Sequence, residues 1–138
     1  MPDASSATPR APHDKYERLI AAARARPPIV TAVAHPCNAV PLQAAIEAAR
    51  LGLITPILVA PPAKIEAVAR LAEVNLAPFE RVEASHSHDA AAKAVELVRA
   101  GRAEALMKGS LHTDELMGAV VARETGIRTA RRISHCFV

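Results

Sequence analysis

Apolar positions fall along this chain in two alternating patterns, short unbroken runs and longer stretches with a helical repeat. The run IVTAVAH, Ile29 to His35, is β-branched and apolar, as a strand buried on both faces must be. After it, Gln43, Glu47 and Arg50 recur at i, i+4 and i+7, which leaves one polar outer face on a helix capped by Asn38 and stopped at Gly52. TPILVA, Thr55 to Ala60, repeats the strand pattern, and Ile65, Val68, Ala69 and Ala72 mark the buried stripe of the next helix. A weaker strand is predicted near Arg81 to Ala84. Ala91, Ala94, Val95 and Val98 then predict helix from about His88 to Ala100, ended by Gly101. The run Glu104 to Met107 predicts a fourth strand, and Thr113 to about Glu124 a further helix with Gly126 beyond it. Ahead of all these, Tyr16 to Arg26 is helical in composition and halts at Pro27-Pro28. At the other end Arg131 to Val138 is a candidate fifth strand.

Strands separated by helices of this length require βαβ crossovers, hence an α/β fold with a mostly parallel sheet and helices on both faces. At 138 residues there is material for one domain with a real core. Apolar residues make up 51% of the chain but aromatics only 2%, so that core must be built from Ala, Val, Leu and Ile. Residues 1–14, rich in Pro, Ala, Ser and Thr without periodicity, are expected to form a disordered tail ahead of an α/β domain at 15–138. The chain stops inside an apolar run at Cys136-Phe137-Val138, the pattern expected of a piece of something longer.

Charge changes the picture only modestly. Seventeen Lys and Arg against 14 Asp and Glu give a formal +3. With one Tyr, two Phe and no Trp there is no stacking platform for nucleic acid, and a small anionic ligand fits better. Cys37 and Cys136 are too far apart for a CxxC pair and read as reduced thiols. No leader pattern or membrane-length apolar run is evident, so a soluble, cytoplasmic protein is expected, with no membrane partner.

Candidate chemistry concentrates in EALMKGSLHTDEL, Glu104 to Leu116, where a strand gives way to a helix. In an open parallel sheet ligands collect outside the carboxyl ends of the strands, where helix N-termini present free N–H groups. There Lys108 supplies a charge, Gly109 permits close approach of backbone, and Ser110 and Thr113 offer hydroxyls, a set suited to phosphoryl oxygens. The bland alternative makes Thr113 an N-cap and Gly109 a turn residue. Neither a P-loop nor GxGxxG is present, which disfavours nucleotide hydrolysis and dinucleotide binding. His35, His112 and His135 are possible cleft-lining groups, and Arg128, Arg131 and Arg132 a possible anion contact or a solvated face. His86, His88 and Asp89 have a metal-like look but no third ligand fixed by spacing, and are expected to be capping side chains, with no metal. His35 and Cys37 invite a nucleophile reading, yet nothing orients the pair, and a structural or lining role is favoured.

ALMKGSLHTDELM, followed by ETGIRTARRISHCFV, closely resembles the phosphate acetyltransferase and phosphate butyryltransferase family, including its group fused to an enoyl-CoA hydratase-like region. IVTAVAHPC, LGLITPILVAPPAKI and SHSHDAAAKAVELVRAGRAEALMKG extend the resemblance over Tyr16 to Val138. It covers the family's N-terminal half, truncated before the second domain. The resemblance implies a fold like the first domain of the isocitrate and isopropylmalate dehydrogenases. It implies an enzyme converting acyl-CoA and phosphate to acyl phosphate and CoA, with no cofactor beyond coenzyme A as substrate. It also implies homodimers with the active site between two domains and the general base in the missing half, so that this half alone is expected to be inactive or nearly so. Lys108, Gly109, Ser110 and Thr113 match the family's phosphate-side loop, and Arg131, Arg132 and Ser134 a segment entering the cleft. Gly118 stands near the place where many acetyl-preferring members carry arginine in the first turns of this helix, which leaves acetyl or butyryl preference open. A different class of function, a non-catalytic module that binds a phosphorylated metabolite or a partner subunit, is the alternative.

Overall fold

The computed structural model describes residues 13–138. Strands and helices alternate as α1 (Asp14–Arg24), β1 (Ile29–Ala34), α2 (Ala39–Arg50), β2 (Ile54–Ala60), α3 (Pro62–Leu71), β3 (Glu80–Glu83), α4 (Ser87–Arg99), β4 (Ala105–Lys108) and α5 (Thr113–Val121). The four strands are parallel in one sheet of order β3-β2-β1-β4. β1 pairs with β2 from Ile29↔Ile54 to Ala34↔Val59, and with β4 from Thr31↔Ala105 to Ala34↔Lys108. All four strand-to-helix loops therefore emerge at the same end.

The period of two in each strand divides the core. Ala32, Ala34, Ile57 and Val59 pack with Ala90, Ala91, Ala94 and Leu97 of α4 and Leu116 of α5. Val33, Leu58 and Ala60 point the other way, onto Leu42, Ala45 and Ile46 of α2 and Ile65 and Ala69 of α3. Val33, Leu58 and Val59 are fully buried, each worth about 1.5–3 kcal/mol of apolar transfer. The two central strands thus anchor the sheet, while edge strand β3 is largely exposed. Alanine along the inner side of α4 lets that helix lie close on the strands.

Several expectations need correction. Arg131 to Val138 forms no strand, and every residue in it is exposed. Its apolar residues are interleaved with Arg131, Arg132, Ser134 and His135, and no described helix covers it, so burial does not offset the entropy of ordering a strand. α5 ends at Val121, earlier than predicted, where Ala122 adopts ψ 136° and leaves the helix. α1 forms but buries none of its residues. Of the expected tail, residues 1–12 lie outside the described residues, and Asp14 already opens α1. Asn38 occupies the N-cap of α2 without a side-chain capping bond. Gly118 meets nothing within 4 Å of where a Cβ would sit.

Candidate active-site cleft

The four loops at the carboxyl end of the sheet meet around an open cleft of about 490 Å³, walled by His35, Asn38, Lys64, His86, Ser87, Ser110, Leu111, His112 and Glu115. Each strand contributes to it. His35 follows β1 directly and Asn38 caps α2; Lys64 lies in the first turn of α3; His86 caps α4; and His112 caps α5. Helix N-termini carry a partial positive charge and unsatisfied N–H groups, and here they gather beside a lysine and three imidazoles. An oxyanion is the ligand such a wall suits best.

One of its sides is a cross-link between the first and last loops. Gly109 N–H donates to Ala34 O at 2.8 Å and Ser110 N–H to His35 O at 2.7 Å. The Ser110 hydroxyl donates to His35 O at 2.8 Å and accepts from Cys37 N–H at 3.0 Å. The His35 ring closes the link through Nδ1, 2.9 Å from Ser110 O. A carbonyl only accepts, so Nδ1 carries the hydrogen, and the neutral tautomer with that hydrogen has Nε2 as a bare acceptor. The approach depends on Gly109, because a Cβ there would lie 2.4 Å from both Ala34 O and His35 O. His35 itself is held at φ 56°, a left-handed conformation that costs a non-glycine residue about 1–2 kcal/mol.

The opposite wall is built on Glu115. Its carboxylate accepts from His112 N–H at 3.0 Å and from the Ser87 hydroxyl at 3.0 Å, and pairs with His88 Nδ1 at 3.0 Å. Burial pushes its pKa up, but the His112 N–H, the Ser87 hydroxyl and His88 outweigh it and hold the group below its ordinary value. Next to it, His86 Nδ1 caps α4 by accepting from Asp89 N–H at 3.2 Å, while the Asp89 carboxylate accepts from Ser85 N–H at 2.8 Å, one residue before the cap. The Ser85 N–H, then Lys93, lowers the Asp89 pKa. The His86, His88 and Asp89 set is thus engaged in capping and pairing. Burial raises the half-buried Cys37 thiol above its usual pKa, and Lys64 opposes this only in part.

The predicted site residues separate into groups. Ser110, His35 and His112 come together at the cleft, although the Ser110 hydroxyl proton is committed to His35 O, while Gly109 is buried against the β1 loop and does not line it. Lys108 and Thr113, at the two ends of the loop, are exposed and stand outside the cleft wall. Thr113 is the first residue of α5 rather than its cap, which is His112. Arg131 and Arg132 line a different depression of about 520 Å³ with Val121, Arg128, Thr129 and Ile133. Ser134 and His135 are exposed, and the His135 ring lies edge-on to Phe137 with centroids 5.1 Å apart. Lys64 and His86 were not singled out from sequence as cleft residues. The usable signal was positional, since each sits in the first turn or cap after a predicted strand.

Fold and cleft together define an open parallel α/β unit with a polar cleft at the carboxyl end of its sheet. No family model matches the chain. Over 124 residues it is 65% identical to a phosphate acetyltransferase of Rhizobium meliloti, an alignment covering 90% of this chain and 39% of the relative. A phosphate butyryltransferase of Clostridium acetobutylicum is 35% identical over 97 residues, covering 70% of this chain and 32% of the relative. The chain thus spans about two fifths or less of the length of these relatives, and over that part its sequence is similar to the phosphate acetyltransferase and phosphate butyryltransferase family. A branched-chain phosphotransacylase from Enterococcus faecalis shares the fold, with a TM-score of 0.54 at 22% identity over 70% of this chain and 33% of that one. No helix among the described residues is long and apolar enough to cross a membrane.

Proposed function

We propose that this chain supplies the phosphate-holding wall of a phosphate acyltransferase, in which acyl-CoA and inorganic phosphate give acyl phosphate and free CoA. The observation that carries the reading is the convergence of the α2, α4 and α5 N-termini with Lys64, His86 and His112 on one cleft. In the acyl-transfer transition state negative charge concentrates on the carbonyl and phosphate oxygens. Aligned N–H groups and a cation stabilise it without reorganising. The names of the relatives favour this over a non-catalytic binding module.

On this reading Lys108 and Thr113 guide phosphate at the mouth of the cleft, and Arg131, Arg132 and Ser134 serve the side of the site that faces the rest of a longer protein. The whole enzyme acts as a cytoplasmic homodimer with coenzyme A as substrate, and the 138-residue chain alone turns over acyl-CoA slowly or not at all.

Phosphorus NMR titration with inorganic phosphate tests the cleft. Lys64→Ala should weaken binding about tenfold, the loss expected of one charge-assisted contact. Equal affinity in both proteins would remove Lys64 from the site.

A further inference from the structure

His35 Nε2 is the one buried side-chain polar atom without a hydrogen-bond partner among the described residues. The residue is only 6% exposed, yet it borders the anion cleft. Its other nitrogen is fixed on Ser110 O, and the surrounding loop is tied by the Ser110 hydroxyl and Cys37 N–H, so the ring cannot turn to satisfy Nε2 without breaking that link. A buried unpaired acceptor is unfavourable and is retained where a ligand completes it. The Glu115 carboxylate, the charged acceptor of the same cleft, is already occupied by His112 N–H, Ser87 and His88.

We propose that His35 Nε2 accepts a hydrogen from the bound oxyanion and so makes the cleft select hydrogen-bearing phosphate over sulfate. The inference rests on the phosphate reading of the cleft and specifies it further. At a pH of about 8 both anions are dianions of nearly the same size, but only phosphate retains a hydrogen to donate. Sulfate at the same place sets an oxygen lone pair against the lone pair of Nε2. His35 lines the cleft while its Nε2 is buried, so a ligand oxygen reaches that atom only as neighbouring cleft side chains shift. His35 is thereby a specificity-determining residue, and no proton needs to leave the complex on binding.

Calorimetric titration of the chain with inorganic phosphate and with sulfate, on wild type and His35→Asn, tests this. Asparagine keeps an N–H at the Nδ1 position for Ser110 O and deletes Nε2. Wild type should prefer phosphate by about tenfold or more, one hydrogen bond against one unpaired acceptor. His35→Asn should bring the two anions within about twofold by weakening phosphate alone. Phosphate binding without preference in wild type, or a preference kept in His35→Asn, overturns the role of His35 and leaves the cleft reading standing. Failure of wild type to bind either anion overturns both. Should His35→Asn not fold, nitrogen-15 NMR of wild type decides instead. The Nε2 resonance must move toward the protonated position with phosphate and stay in place with sulfate, and identical responses contradict the proposal.

Discussion

Cys37 sits one loop turn from the cleft, and its environment decides what it can do. Burial favours the neutral thiol, the Lys64 charge only partly compensates, and the backbone N–H is already bound to the Ser110 hydroxyl. A thiol whose folded pKa is raised holds less thiolate at mildly alkaline pH than an ordinary cysteine, and alkylation follows the thiolate. Cys136 is exposed. At a pH of about 8, iodoacetamide should therefore label Cys136 several-fold faster than Cys37, with the gap narrowing as pH rises, as read by mass spectrometry of the peptides. Faster labelling of Cys37 would mean that the loop is not closed as described. His35 shows the same dominance of context over residue type. From sequence it was one histidine among several, and only the folded partner 75 positions away fixes its tautomer.

At the scale of elements, two glycines near each other in sequence have opposite consequences. Gly118 lies within α5 with open space around its missing Cβ, so Gly118→Ala should stabilise the chain by about 0.5–1 kcal/mol. Gly109→Ala forces a methyl group against two backbone oxygens that cannot yield and should cost about 1–3 kcal/mol or more. Chemical denaturation of both variants checks the pair, and a neutral Gly109→Ala would refute the cross-link between the β1 and β4 loops. Much of this level was legible beforehand. β1 and β2 stood out as short apolar runs rich in β-branched residues and bounded by proline or glycine, and α4 because its alanines repeat at helical spacing. Gly52 and Gly101 end their helices at φ 73° and 75° as expected. The last segment was misread because an apolar run is only a strand where something covers it, and cover is not a local property.

At the scale of the whole molecule, parallel topology makes the site. Four loops remote in sequence are delivered to one end of the sheet, and Lys64, His86 and Asn38 become neighbours of Ser110 without any spacing rule that links them. The Lys108 to Thr113 loop was legible as a strand-to-helix junction; the rest of the cleft was not, because proximity there is created by strand order β3-β2-β1-β4. The same topology separates the basic depression around Arg128, Arg131 and Arg132 from the cleft wall. The chain therefore has two candidate cationic surfaces, and amide chemical-shift mapping with inorganic phosphate distinguishes them. The largest shifts should fall on His35 to Asn38, His86 to Asp89 and Gly109 to Glu115; shifts confined to Arg128 to Ile133, or none, would contradict the assignment of the cleft as the phosphate site.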